Sequence, residues 1–261
     1  MSVSEDVAGR APASGLAGLP PPSLIAEEPR RRAAGWRHVV PNAFTLANIT
    51  LGFLGMLAAA DGRFSRAVAF LFAGALCDLA DGRIARLLGA TSNFGKELDS
   101  LSDMVSFGIA PAVLIYLAVL TRLGTAGLIV AAFFALAGAV RLARYNLGTN
   151  QLSHLVFEGL PIPIAAGYVW SFVIVRDMLP GWLVGTGVML AAILMVSKVK
   201  IPSFRRGGLP VALMFVGLGA FVVFWARPSA LTWHVWNGFN VAMVLLNYVV
   251  LYRRGLLRAR S

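Results

Sequence analysis

Residues 65–120 read SRAVAFLFAGALCDLADGRIARLLGATSNFGKELDSLSDMVSFGIAPAVLIYLAVL. Two apolar runs stand in this stretch, 65–88 and 97–120. Each is long enough for a membrane-crossing helix, which needs about 20 mostly apolar residues. Carboxylates break both runs: Asp78 and Asp81 in the first, Glu97, Asp99 and Asp103 in the second. Ionisable groups inside apolar helices are costly, so their presence points first to a functional site. Asp78 and Asp81 are three apart and Asp99 and Asp103 are four apart, which puts each pair on one helix face. Asp78 lies ten residues before the end of its run, and Asp103 lies six residues into the next. At about 1.5 Å per residue, both sit roughly 10–15 Å from the shared ends of the two runs. The four aspartates can therefore converge at one depth. In a low-dielectric site they repel one another and need cations. An all-oxygen ligand set favours Mg²⁺ or Mn²⁺, and Ca²⁺ can substitute.

Composition extends the membrane reading to most of the chain. Of 261 residues, 58% are hydrophobic and 13% are charged. Soluble domains carry about 25% charged residues. So few charges cannot cover a soluble globule of this size, and so much hydrophobicity excludes disorder for most of the chain. A single cysteine, Cys77, excludes a disulfide framework and a cysteine-rich metal site. Residues 1–34 differ: they are rich in Pro, Gly, Ala and Ser, carry Arg30, Arg31 and Arg32, and lack an apolar run. They are expected to form a flexible cytosolic extension. Residues 35–253 are expected to form the transmembrane catalytic domain, and 254–261 a basic cytosolic tail.

Apolar segments recur at 42–60, 65–88, 97–120, 123–146, 161–177, 181–198, 209–226 and 231–252. The expected fold is an all-α, polytopic bundle of about eight transmembrane helices. The basic residues fit this count. With the N-terminus in the cytosol, the outer loops hold Arg63, Arg66, Arg122, Arg176 and Arg227, and the other 18 of 23 basic residues fall inside. That bias places both termini and the aspartates on the cytosolic side of the cell membrane. The net charge of +11 then marks topology and attraction to anionic membrane lipids. Nucleic-acid binding is not expected, because the basic residues cap hydrophobic helices.

Next to the acids lie Gly82 and Ala85, whose small size leaves room for a ligand or for close helix approach. Arg83 and Arg86 follow, and a guanidinium suits phosphate. Carboxylates that hold divalent metal beside such arginines suggest phosphoryl transfer from a pyrophosphate donor. The structural alternative is a set of buried ion pairs between the aspartates and Arg83 or Arg86. A cation transporter built on the same acids is the competing function.

The segment D-L-A-D-G-R-I-A-R at 78–86, then Gly95, Asp99 and Asp103 at set intervals, resembles a family motif. The motif is D-x2-D-G-x2-A-R-x8-G-x3-D-x3-D of the CDP-alcohol phosphatidyltransferases, and every fixed position is present. Further segments resemble the membrane-embedded phosphatidylserine synthases within that family. They are 41–48 (PNAFTLAN), 97–108, 141–146 (RLARYN), 159–163 (GLPIP) and 199–205 (VKIPSFR). The resemblance covers about residues 38–206 and leaves out the last two spans.

The resemblance implies transfer of a phosphatidyl group from CDP-diacylglycerol to the hydroxyl of L-serine, with release of CMP. It implies two ions held by Asp78, Asp81, Asp99 and Asp103, with Asp78 and Asp99 bridging and Asp103 also acting as general base. It implies a nucleotide site from a Pro41–Phe44 turn (Pro41, Asn42, Ala43, Phe44) with Thr45, Gly82, Arg86, Thr91, Ser92 and Gly95. A homodimer is likewise implied. Serine carboxylate needs a cation, and Arg141, Arg144 and Lys200 are the expected contacts to it or to lipid phosphate. Another acceptor, such as glycerol phosphate, inositol phosphate or choline, stays open at this point. None of the histidines, His38, His154 and His234, begins the H-x-K pattern of covalent-histidine enzymes. Direct displacement is the expected route.

Overall fold

The computed structural model describes residues 36–147, 156–202 and 208–253. Eight continuous helices are present among them. They are α1 (Trp36–Ala60), α2 (Phe64–Leu87), α3 (Asn93–Ala118), α4 (Thr125–Asn146), α5 (Ile162–Ile174), α6 (Gly181–Val196), α7 (Gly208–Ala226) and α8 (Ala230–Arg253). Each falls on one of the eight apolar segments. The expected extension at 1–34, the tail at 254–261 and His154 lie outside the described residues.

Among the described residues, three helices are long and apolar enough to cross a membrane: Arg37–Ala60, Asn93–Ala118 and Thr125–Asn146. Three of the remaining helices, α2, α5 and α6, fall short for physical reasons. α2 carries Asp78, Asp81, Arg83 and Arg86 within its 24 residues. α5 has 13 residues and α6 has 16, below the usual crossing length of about 20. The chain is a multi-pass membrane protein built as a helical bundle. The all-α expectation needs one small amendment. Two three-residue strands, β1 (Val156–Glu158) and β2 (Lys200–Pro202), pair antiparallel and join the loop before α5 to the loop after α6.

Hydrocarbon gives apolar helices little reason to associate, so small residues and interhelical hydrogen bonds do much of the joining. α1 shows both. A Cβ at Gly52 would stand 2.6 Å from Ser106 Oγ on α3, and one at Gly74 on α2 would stand 2.7 Å from Asn48 Oδ1. Ser106 donates to the Asn48 carbonyl at 3.0 Å, and Ser102 donates to the Thr45 carbonyl at 3.2 Å. Such bonds in membranes average about 0.6 kcal/mol each, so together they fix register rather than dominate stability.

α3 is not uniform. Ser92 caps it by accepting the Gly95 N–H at 3.0 Å, the standard role of an N-cap serine. Met104–Ile109 form a π-helical segment, with the Ala110 N–H bonded to the Val105 carbonyl. Pro111 explains the widening. It has no N–H to give Phe107, and its ring would press on that carbonyl. A π-turn absorbs this conflict and often marks a functional site. Here it begins directly after Asp103.

The apolar core runs through α3 to α6, with Phe107, Leu114, Ile115, Phe134, Ile162, Val169 and Met195 fully buried. Phe53, Leu57, Leu128, Ile129, Leu136 and Leu190 are exposed on the outer surface, as expected of side chains that meet lipid. α7 and α8 attach through rings. The Phe221 ring centroid lies 5.4 Å from that of Phe72 and 6.2 Å from that of Trp170, and the Trp233 ring lies 5.7 Å from Phe172.

Candidate active site

The motif aspartates meet where the ends of α2 and α3 face α1. One carboxylate oxygen from each of Asp78, Asp99 and Asp103 lies within 4.8 Å of the other two. Asp78 and Asp103 approach to hydrogen-bonding range of each other. Two carboxyl groups that close require a proton or a cation between them. Asp103 Oδ1 is buried and has no hydrogen-bond partner among the described residues. Three convergent carboxylate oxygens, with the partnerless Asp103 Oδ1 on one of the same groups, fit a hard divalent cation. The cluster can therefore hold a metal ion.

Asp81 stands beside this trio rather than in it. Its Oδ2 accepts from Thr45 Oγ1 at 2.8 Å. The Pro41 carbonyl is a longer alternative for the same hydroxyl, at 3.2 Å. Asp81 is 5% exposed, and it still feels the charge of Asp99. It thus links the trio to the adjoining cleft.

That cleft has a volume of about 330 Å³. Its walls include Pro41, Asn42 and Thr45 from α1, and Asp81, Gly82 and Arg86 from α2. Thr91, Ser92, Gly95, Lys96 and Asp99 close the other side. Gly82 has open space where a side chain would be, with nothing within 4 Å of an added Cβ. Arg86 donates its Nε to the Gly82 carbonyl at 2.8 Å, which sets the guanidinium along the helix end. Gly89 turns the chain after α2 with φ at +60°, a conformation that favours glycine. His38 Nδ1 sits 2.9 Å from the Ala90 carbonyl and ties this turn back to α1.

Of the ten expected nucleotide-site residues, Ala43 and Phe44 do not line the cleft. Pro41–Phe44 is not a turn. It lies inside α1, which continues through the proline. On a helix, positions 41, 42 and 45 share a face, and 43 and 44 point elsewhere. Lys96 lines the cleft and is absent from the sequence expectation. A lysine just after Gly95, closing the first turn of α3, places a cation where the helix dipole disfavours one. That mismatch was the available signal.

The expected acceptor-side cations diverge. Arg141 on α4 is within electrostatic reach of Asp103. Arg144 Nη2 donates to the Met195 carbonyl at 3.2 Å, at the end of α6, where a cation complements the helix dipole. Lys200 pairs with Glu158 in the β1–β2 register, and its side chain lies outside the described residues.

Residues 38–198 match the family described as CDP-alcohol phosphatidyltransferase. The chain belongs to that family. It is a transferase of the membrane-embedded kind. A relative from Helicobacter pylori (strain ATCC 700392 / 26695), named CDP-diacylglycerol--serine O-phosphatidyltransferase, is 36% identical over 197 residues, 73% of this chain and 83% of the relative. A Bacillus subtilis (strain 168) protein with the same name is 35% identical over 167 residues, 64% of this chain and 92% of its own. An archaetidylserine synthase from Methanothermobacter thermautotrophicus is 36% identical over 169 residues, 62% of this chain and 69% of its own. The family match stops short of α7 and α8.

Proposed function

We propose that the chain transfers the phosphatidyl group of CDP-diacylglycerol to the hydroxyl of L-serine, giving phosphatidylserine and CMP. The observation that carries this reading is the continuity of the cleft with the carboxylate trio, because Asp99 belongs to both. A nucleotide in the cleft would lay its pyrophosphate beside the trio. The printed names of the relatives above support serine as acceptor.

In this reading Asp78, Asp81, Asp99 and Asp103 would hold two divalent ions, Mg²⁺ or Mn²⁺. Bound metal would supply Lewis-acid neutralisation of the pyrophosphate and of the departing CMP. Gly82 leaves room for the donor head group, and Arg86 pairs with its phosphate. Thr45 holds Asp81 in place. Asn42, Thr91, Ser92 and Gly95 border the nucleotide. Asp103 takes the proton from the serine hydroxyl. The hydroxyl oxygen forms the new bond to the lipid-bearing phosphorus, and the bond from that phosphorus to the bridging oxygen breaks. CMP leaves with the electron pair. Arg141, next to Asp103, would meet the serine carboxylate, with Arg144 and Lys200 as further cations on that side. Positioning supplies much of the rate, because a carboxylate beside metal is a weak base.

All eight helices are proposed to cross the membrane, with both termini and the cleft in the cytosol, as the distribution of basic residues supports. The resemblance supports a homodimer.

Purified protein should release CMP from CDP-diacylglycerol when serine is present. Glycerol phosphate, inositol phosphate and choline should each give at most background. CMP release that is strongest with one of those alcohols would refute serine and keep the family chemistry.

A further inference from the structure

Asn48 lies near the middle of α1 and is 0% exposed. Neither its Oδ1 nor its Nδ2 has a hydrogen-bond partner among the described residues. Buried amides in native proteins are nearly always bonded, so an exception asks for a physical account. An apolar side chain of the same size would fill the space without the desolvation cost.

Three neighbours fix its place. On α1, Thr45 stands one turn earlier and bonds Asp81 of α2. On α2, Gly74 faces Asn48 Oδ1, with 2.7 Å left for an added Cβ. Gly74, Asp78 and Asp81 follow one another at intervals of four and three, so they share a stripe. Asn48 is therefore level with the Gly74 end of that stripe, about one helical turn from Asp78. On α3, Ser106 donates to the Asn48 carbonyl at 3.0 Å, three residues beyond Asp103. The carboxamide thus forms the deep end of the polar seam, one level below Asp78 and Asp103.

We infer that Asn48 is a positioning residue for the metal centre: its carboxamide, directly or through one water, hydrogen-bonds the ligand carboxylates and fixes their orientation. The inference rests on the metal reading of the aspartates given above. A carboxamide offers two donors and an acceptor, so it can address a carboxylate on one side and a water on the other. A buried water needs two to four polar partners. The Asn48 amide, Asp78 and the partnerless Asp103 Oδ1 can supply them. Groups that orient ligating side chains typically account for about 10- to 100-fold in metal affinity.

The test is Mn²⁺ titration of the purified full-length chain in detergent, without substrate, read by calorimetry or electron paramagnetic resonance. Asn48→Leu should weaken Mn²⁺ binding about 10- to 100-fold, while the metal-free thermal midpoint holds or rises. Asn48→Ser, which keeps a donor, should recover part of the loss. Wild-type affinity in the leucine variant overturns the inference alone. No Mn²⁺ binding by the wild-type protein overturns the metal reading and this inference with it. Should the leucine variant fail to fold, Gly74→Ala serves instead. It crowds Asn48 Oδ1 without touching a carboxylate and should also weaken Mn²⁺. Unchanged affinity in both Gly74→Ala and Asn48→Ser overturns the inference.

Discussion

The seam between α1, α2 and α3 and the seam that attaches α7 and α8 are built from opposite materials. The first joins helices by short polar contacts: Thr45 to Asp81, Ser102 to the Thr45 carbonyl, Ser106 to the Asn48 carbonyl. Glycines let those contacts close, and Gly52 and Gly74 have no room for a methyl group. The second joins helices by rings, with Phe221 touching Phe72, Trp170, Phe224 and Trp236. Polar bonds demand one geometry. Ring contacts tolerate several, since offset and edge arrangements are close in energy. The polar seam lies within the family match and the ring seam's last two helices lie beyond it. Chemistry needs atoms placed to fractions of an ångström, so the exacting material surrounds the aspartates. The outer hairpin needs only to stay attached.

The largest effect that sharpens this contrast comes from Asp103→Asn. The substitution keeps size and burial but removes the proposed proton acceptor and one carboxylate of the trio. Turnover should fall at least about 10³-fold, in the range that general-base losses reach, while CDP-diacylglycerol still binds. Steady-state CMP release and ligand-binding measurements on the same preparation check both halves. Retained turnover would remove Asp103 from the base role.

A smaller and more selective effect is expected at Gly82. Gly82→Ala meets no protein atom within 4 Å, in contrast to the packing glycines, so the fold and the thermal midpoint should not change. The new methyl group points into the cleft. KM for CDP-diacylglycerol should rise about 10-fold or more, equivalent to about 1.4 kcal/mol of lost binding. An unchanged KM would mean that the donor head group lies elsewhere. The same methyl group at Gly52 should lower the thermal midpoint instead, because there it strikes Ser106.

These contrasts also mark what the sequence could disclose. The aspartates were legible because helical spacing within one segment fixes which residues share a face. The cleft was largely legible through the family resemblance, whose motif carries Gly82, Arg86, Thr91, Ser92 and Gly95 on one continuous stretch from the end of α2 to the start of α3. Ala43 and Phe44 were carried along by adjacency in sequence, and the helix turned them away. Contacts between distant segments were not legible. His38 meets Ala90 across 52 residues, Arg144 meets Met195 across 51, and Ser106 meets Asn48 across 58. No periodicity within a helix specifies which face of another helix it will meet. The π-turn after Asp103 was hidden as well, although Pro111 supplied its cause.

The smallest effect on catalysis, and the sharpest test of the contrast, belongs to Phe221→Leu. Phe221 is 3% exposed and contacts four rings. Leucine keeps most of the apolar volume and loses the ring geometry, worth about 0.5–1.5 kcal/mol for a favourable pair. Each kcal/mol moves the midpoint of a domain this size by about 2–4 °C, so a fall of several degrees is expected. If the ring seam only attaches the hairpin, kcat and both KM values of the folded enzyme should stay within about twofold of wild type, a difference of under 0.5 kcal/mol. Phe221 also stacks on Phe72, however, which lies six residues before Asp78 on α2. A tenfold loss of kcat at a temperature where the variant is fully folded would therefore mean that α7 sets the position of α2. The two seams would then form one device, and the division between exacting and tolerant contacts would fail.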